Sequence, residues 1–182
     1  MNSDYIGDIN RWSLITPTFY LKDIDNKKLS KELLSNAKRK SNEQASTFYE
    51  DFVADTKECP TALDLVNTVQ DVVDKYYGDL KIREWWSQIH QIGESSNQHN
   101  HHPAPISWAY WVKIPQGSGK FVFVMNEYAG VMTSVDPMEG VLMFFPGWMA
   151  HKVTRNTSTD ARISISGNLE ISKDVVKITH IE

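Results

Sequence analysis

A chain of 182 residues with 41% hydrophobic and 11% aromatic content holds enough apolar material for one domain with a sizeable core, which excludes disorder throughout. A net charge of -4 and a pI near 5.9 give no general basic footprint and disfavour nonspecific nucleic-acid binding. A single cysteine, Cys59, rules out an internal disulfide, and no N-terminal apolar stretch reads as a signal peptide or spans a bilayer, so a reducing, cytoplasmic setting is expected.

Taken in chain order, residues 12–21 mix aromatic and β-branched side chains around Pro17, which predicts an edge strand or extended arm. Asp25 or Asn26 caps a predicted helix through Leu29, Leu33 and Leu34 to about Lys40, with Lys38-Arg39-Lys40 as its solvated end. Ser41 to Lys57 is polar and reads as loop. Pro60 opens a second predicted helix, whose stripe of Leu63, Val66, Val69 or Gln70, Val73 and Tyr76 or Tyr77 should pack on a sheet and which closes at Gly78. Cys59, just before Pro60 at the helix start, reads as a loop thiol rather than a nucleophile, a role that would need a base nearby. From Trp85 to Ile92 a strand leads on, and His90 within it reads as a sheet histidine bonded to a neighbour, since no second ligand follows at alternate spacing.

Ser107 to Ile114 and Lys120 to Met125 predict two strands joined into a hairpin by Pro115-Gln-Gly-Ser-Gly119. That Gly-x-Gly is no phosphate cradle, because the longer glycine pattern and the following helix are missing. Residues 126–139 predict the longest internal loop, where Tyr128, Met132 and Met138 would offer substrate contacts. Val141 to Phe145, Lys152 to Arg155, Ala161 to Glu170 and Val175 to Ile181 predict further strands. Two helices followed by almost nothing but short strands predict a mainly β fold: a double-stranded β-helix, or cupin-like jelly roll, with the helices packed on one sheet. It is expected to form one domain over residues 1–182, with helical support to about residue 80 and a β core from 81.

Three of the six histidines fall between residues 99 and 102. In an extended segment alternate side chains share a face, so His99 and His101 converge while Asn100 and His102 point away. Imidazole is the commonest transition-metal ligand, and such a pair supplies two of the three or four ligands required. The candidate for the third is His151, delivered by the apolar run Val141 to Phe145 and the Pro146-Gly147 turn. Eleven residues on, strict alternation puts Arg162, Ser164, Ser166 and Asn168 on one strand face and Ile163, Ile165 and Leu169 on the other. An arginine on that polar face calls for an anion.

His99-x-His101, Ser107-Trp-Ala-Tyr110-Trp111-Val, Phe-Phe-Pro146-Gly-Trp-Met-Ala-His151 and Arg162-Ile-Ser-Ile-Ser, in that order, resemble a family of 2-oxoglutarate and iron(II)-dependent oxygenases. The resemblance runs from about residue 14 to 170, and its specificity comes from those four segments. It implies that His99, His101 and His151 hold iron(II), and that 2-oxoglutarate chelates the iron with its keto acid end. The far carboxylate would meet Arg162 and Ser164 through a bidentate guanidinium and a hydroxyl on the same strand face. Ser107, Tyr110 and Asn168 are the further co-substrate contacts expected, and Tyr110, Trp111 and Trp148 would line the pocket. The implied reaction uses dioxygen, releases succinate and carbon dioxide, and hydroxylates a C–H bond of a primary substrate that the residues do not identify. A homodimer is left open. His101 stands where the wider superfamily has a carboxylate, which leaves the site one charge more positive; Glu94 and Asp136 are fallback carboxylates.

Two rivals share parts of this pattern. A metal-binding cupin that does not use 2-oxoglutarate would have nearly the same glycine and histidine spacing, but its glutamate would fall at Pro105 or Ile106, and Arg162 would have no task. A structural zinc module favours cysteines in close pairs, and Cys59 is alone.

Overall fold

The computed structural model describes residues 3–11, 14–36, 50–52, 59–126, 128 and 130–172. Eleven strands and two helices are assigned: β1 (Ser3–Arg11), β2 (Leu14–Leu21), α1 (Asn26–Asn36), β3 (Glu50–Phe52), α2 (Pro60–Tyr76), β4 (Leu80–His90), β5 (Ser96–His99), β6 (Ile106–Lys113), β7 (Phe121–Asn126), β8 (Val131–Val135), β9 (Val141–Pro146), β10 (His151–Val153) and β11 (Arg162–Ile171). They make a seven-stranded sheet in the order β1-β2-β9-β6-β11-β4-β3 and a four-stranded sheet in the order β5-β10-β7-β8. From β4 onward the chain passes repeatedly from one sheet to the other, which is the winding of a jelly roll.

The helices form where the capping signals lie. Asp25 Oδ1 accepts the Lys28 amide at 3.0 Å and so starts α1. Glu32 of α1 then accepts both the amide and the hydroxyl of Thr61, at 3.0 and 2.9 Å, placing a carboxylate at the N-terminus of α2, where the helix dipole favours it. Both helices lie on the outer face of the large sheet. Leu29, Leu33, Leu65, Val69 and Val73 pack there with Ile89, Tyr110, Leu142, Ile163 and Ile165. The opposite face of that sheet meets the small sheet through a second core of Trp111, Phe121, Phe123, Met143 and Phe145.

Several expectations are corrected. β2 is not a margin, because β1 covers it and Pro17 pairs with Asp8. A short strand, β3, falls within the stretch expected to be loop, while the end expected for α1 near residue 40 lies outside the described residues. The buried stripe of α2 is rotated toward Leu65 and Val72, leaving Leu63 and Tyr76 exposed. β4 begins at Leu80 rather than Trp85. β6 and β7 are not a hairpin: β6 lies in the large sheet and β7 in the small one, so Pro115 to Gly119 crosses between layers. The expected long loop contains β8, which pairs with β7. The strand expected at 175–181 and the basic run at 38–40 lie outside the described residues.

Candidate metal and anion site

β5 ends on His99 and β10 begins on His151, and the ladder between the strands sets these two residues opposite each other. His101 lies two residues past β5, where its amide donates to the Gly147 carbonyl at 2.7 Å. The Pro146-Gly147 turn thus delivers His151 and also clasps the segment that carries His101. A Cβ at position 147 would run into the Ala104 carbonyl, so only glycine permits this approach. The result brings together the three histidines predicted from spacing. Their ring centroids lie 4.4 Å (His99 to His151), 5.0 Å (His101 to His151) and 5.1 Å (His99 to His101) apart.

One ligand-capable nitrogen from each ring lies within 4.8 Å of the other two, a spacing that small ring rotations close around a single ion. His99 Nδ1 donates to the Asn97 carbonyl at 2.7 Å, and His151 Nδ1 donates to the Met149 carbonyl at 2.9 Å. Each bond fixes a tautomer that leaves Nε2 with its lone pair free for a metal. Burial, then the neighbouring His99, pulls the His151 imidazole down to about 3 and that of His101 to about 4, with Glu84 opposing the effect at His101. Both rings are therefore neutral at pH 7 and ready to ligate. Phe121 stacks on His151 at 5.0 Å and 16°, and Trp86 packs on His101 at 5.3 Å. Neither fallback carboxylate joins the group: Glu94 accepts the Gln91 amide at 2.7 Å, and Asp136 pairs with Lys120 at 3.1 Å.

Arg162 opens β11 opposite His90 on β4, on the sheet face that looks toward the small sheet. Its side chain is 1% exposed, and Nε and Nη1 have no hydrogen-bond partner. Burial draws its pKa down only to about 10, so the guanidinium stays charged at pH 7. A buried cation with unsatisfied donors costs several kcal/mol unless an anion joins it, so this position fits the far carboxylate of a diacid. Trp86, which touches His101, is level with Ser166 on β11, four residues from Arg162 or about 13 Å along the strand. An extended arginine side chain and a five-carbon diacid together bridge that span.

The other predicted residues divide. Ser164 is buried on the Arg162 face, opposite Gln88 and Trp111. Trp111 belongs to the core between the sheets. Tyr110 does not face the site: it points to the helices, buried, with its hydroxyl donating to Asn26 Oδ1 at 2.8 Å. Strand alternation dictates this, since Tyr110 and Trp111 cannot share a face. Ser107 donates to Asn168 Oδ1 at 2.7 Å, and Asn168 donates to Glu84 at 2.9 Å, so these groups satisfy one another six residues from Arg162. Trp148 is 62% exposed on the turn rather than lining an interior pocket. Tyr128, Met132 and Met138 are exposed as well. His90 bonds to Ser96 Oγ at 2.8 Å, as a sheet histidine with a neighbour. Trp86, Phe121 and Glu84 also neighbour the site or its predicted residues, and the sequence pattern did not single them out. In the Phe-Val-Phe-Val run of β7 both faces are apolar, so alternation carried no signal for Phe121.

Residues 84–168, which include every residue of this site, match the family described as "Putative 2OG-Fe(II) oxygenase". No curated protein sequence matches the chain. Among solved structures, the chain is similar to the epimerase SnoN of nogalamycin biosynthesis in complex with Fe3+, alpha ketoglutarate and nogalamycin RO (TM-score 0.67, 10% identity, covering 86% of this chain and 78% of that one). It is also similar to a prolyl-4-hydroxylase of Pseudomonas putida (0.58, 14%, 86% and 92%) and to a Trichoplax adhaerens prolyl hydroxylase bound to a hypoxia inducible factor fragment (0.63, 13%, 87% and 84%). At these identities the structures speak for the fold, and the family match speaks for the chemistry. Over residues 84–168 the chain is thus similar to the 2-oxoglutarate and Fe(II)-dependent oxygenases, and it shares the fold of solved structures of that kind, one of them in complex with Fe3+ and alpha ketoglutarate.

Proposed function

We propose that the chain is a hydroxylase, in which His99, His101 and His151 hold the iron and Arg162 with Ser164 anchors the far carboxylate of 2-oxoglutarate. The observation that carries this reading is the buried, unpartnered Arg162 guanidinium on the sheet face that leads to the three imidazoles. Iron(II) with 2-oxoglutarate and dioxygen supplies the oxidising power for C–H hydroxylation, with succinate and carbon dioxide as by-products. The chain's own work is positional. Backbone carbonyls of Asn97 and Met149 hold two imidazoles in their ligating tautomers, Phe121 and Trp86 pack on the rings, and Arg162 fixes the diacid in one register. Imidazole is an uncharged ligand, so three of them without a carboxylate would leave the ion's full charge to attract an anionic co-substrate.

A cupin without a 2-oxoglutarate site shares the histidine cluster but leaves the Arg162 donors without a ligand, which disfavours it. Among the described residues no helix is long and apolar enough to cross a membrane. A single domain over residues 1–182 and a cytoplasmic location are expectations of this reading, and a homodimer is left open by it.

The test is anaerobic addition of iron(II) and 2-oxoglutarate, which should produce the weak visible charge-transfer band of the chelate. Arg162→Ala should lose the band at the same 2-oxoglutarate concentration while keeping bound iron. Bound iron with no band in the unaltered protein would overturn the reading in favour of the cupin.

A further inference from the structure

Five buried side chains among the described residues carry polar atoms without a hydrogen-bond partner: His90 (Nδ1), Trp108 (Nε1), Trp111 (Nε1), Ser118 (Oγ) and Arg162 (Nε and Nη1). Buried polar groups are satisfied in the great majority of cases, so several such atoms in one place point to a missing ligand. Three of the five occupy neighbouring ladder positions at one end of one sheet face. His90 is opposite Arg162 across the β4–β11 ladder, and Trp111 is opposite Ser164, two residues along β11, across the β6–β11 ladder. All three are essentially sealed from solvent, with exposures of 0%, 1% and 1%. Rings also connect this place to the metal site, since Trp111 packs edge-on against Phe121 at 6.3 Å and Phe121 stacks on His151.

The chemistry of these atoms is one-sided. The guanidinium and the indole nitrogen can only donate. His90 is opposite Arg162 in the ladder, yet its Nδ1 accepts nothing from it, and when the Ser96 hydroxyl donates to Nε2 at 2.8 Å, Nδ1 carries the ring hydrogen. A ligand that satisfies all of them has to be an acceptor only, and a carboxylate is that.

We infer that His90 Nδ1–H and Trp111 Nε1–H are further donors to the far carboxylate of 2-oxoglutarate, joining Arg162 to enclose it and setting the enzyme's selectivity for a diacid over a mono-acid. This rests on the reading of Arg162 given above and adds two specificity-determining residues to it. Burial, and after it the Arg162 charge, keeps the His90 ring neutral, down to about 3, so the pocket gains a donor without a second buried cation. Neutral donors of this kind discriminate between ligands through the cost of leaving them unpaired. A keto acid without the far carboxylate would leave all the donors in the state they have now.

The experiment compares 2-oxoglutarate with 2-oxopentanoate, which has the same keto acid head and chain length but no far carboxylate. Dissociation constants for both are measured anaerobically on the iron(II)-loaded protein from the charge-transfer band. Trp111→Phe and His90→Leu should each reduce the preference for the diacid by about tenfold, through weaker 2-oxoglutarate binding alone. His90→Asn, which keeps a donor near the Nδ1 position, should restore it. Trp108→Phe makes the same change as Trp111→Phe on the helix-covered face and should leave the preference alone. A variant that weakens both ligands equally, or neither, overturns the assignment for that residue, because a packing defect does not distinguish the two acids. If the preference disappears in Arg162→Met but survives in Trp111→Phe and His90→Leu, only this inference fails. If the unaltered protein shows no preference, the reading of Arg162 fails with it.

Discussion

The two faces of β11 were built from one decapeptide and end in opposite states. Toward the helices, Ile163, Ile165 and Leu169 are fully buried against α1, α2 and neighbouring strands, with their apolar surface covered. Toward the small sheet, Arg162 and Ser164 are almost as deeply buried, but Arg162 keeps two donors without partners. Burial alone therefore does not separate structure from function here. Satisfaction does along β11: its outer side chains are apolar and leave nothing unpaired, whereas on its inner face two Arg162 nitrogens find no partner within the chain. Such a site is held in place by the stability of the face behind it, because the orphaned guanidinium is itself destabilising.

That contrast can be broken in several ways. The largest effect is expected at the metal: His151→Ala should abolish stoichiometric iron(II) binding, measured by equilibrium dialysis, whereas His90→Ala should retain iron. Iron kept by His151→Ala would mean that the third ligand is another residue. Next, Arg162→Met should weaken 2-oxoglutarate by about a hundredfold or more, yet raise the stability of the ligand-free protein by about 1 kcal/mol or more in chemical denaturation. A variant destabilised like an ordinary core mutant would show instead that Arg162 is structurally satisfied.

Acid should act on the inner face through its histidines. His90, His101 and His151 are held at about 3, about 4 and about 3, below the ordinary value of 6.5. Between those values the unfolded chain binds protons that the folded chain refuses. The metal-free protein should thus have its full stability above about pH 6.5 and lose it progressively as the pH falls toward 4 and then 3. Melting temperatures that stay flat from pH 6.5 to 4.5 would contradict the burial of these rings. The smallest effect belongs to the outer face: Tyr110→Phe removes the bond to Asn26 and should cost about 1 kcal/mol, with no change in 2-oxoglutarate affinity.

The candidate metal ligands were legible in the sequence because each is tied to local chemistry. Alternation brings His99 and His101 together, and a Pro-Gly turn after an apolar run delivers His151. Arg162 was legible for the same reason, as a charge on one face of an alternating strand. What could not be read depends on which strand lies beside which. Tyr110 and Trp111 look alike as neighbours in an aromatic run, and only the sheet decides that one faces helices and the other the interior. His90 was correctly read as bonded to a neighbour, but its second nitrogen acquires meaning only from Arg162, seventy-two residues away in sequence and opposite it in the ladder. The hairpin expected at Pro115 to Gly119 failed because turn residues permit a reversal without specifying whether the chain stays in the same sheet.

The most direct test is a crystal structure of the protein grown anaerobically with a divalent metal and 2-oxoglutarate. The expected result is one ion ligated by His99, His101 and His151, with the far carboxylate of the co-substrate against Arg162. An ion bound elsewhere, or a co-substrate whose far carboxylate does not reach that guanidinium, would contradict the account.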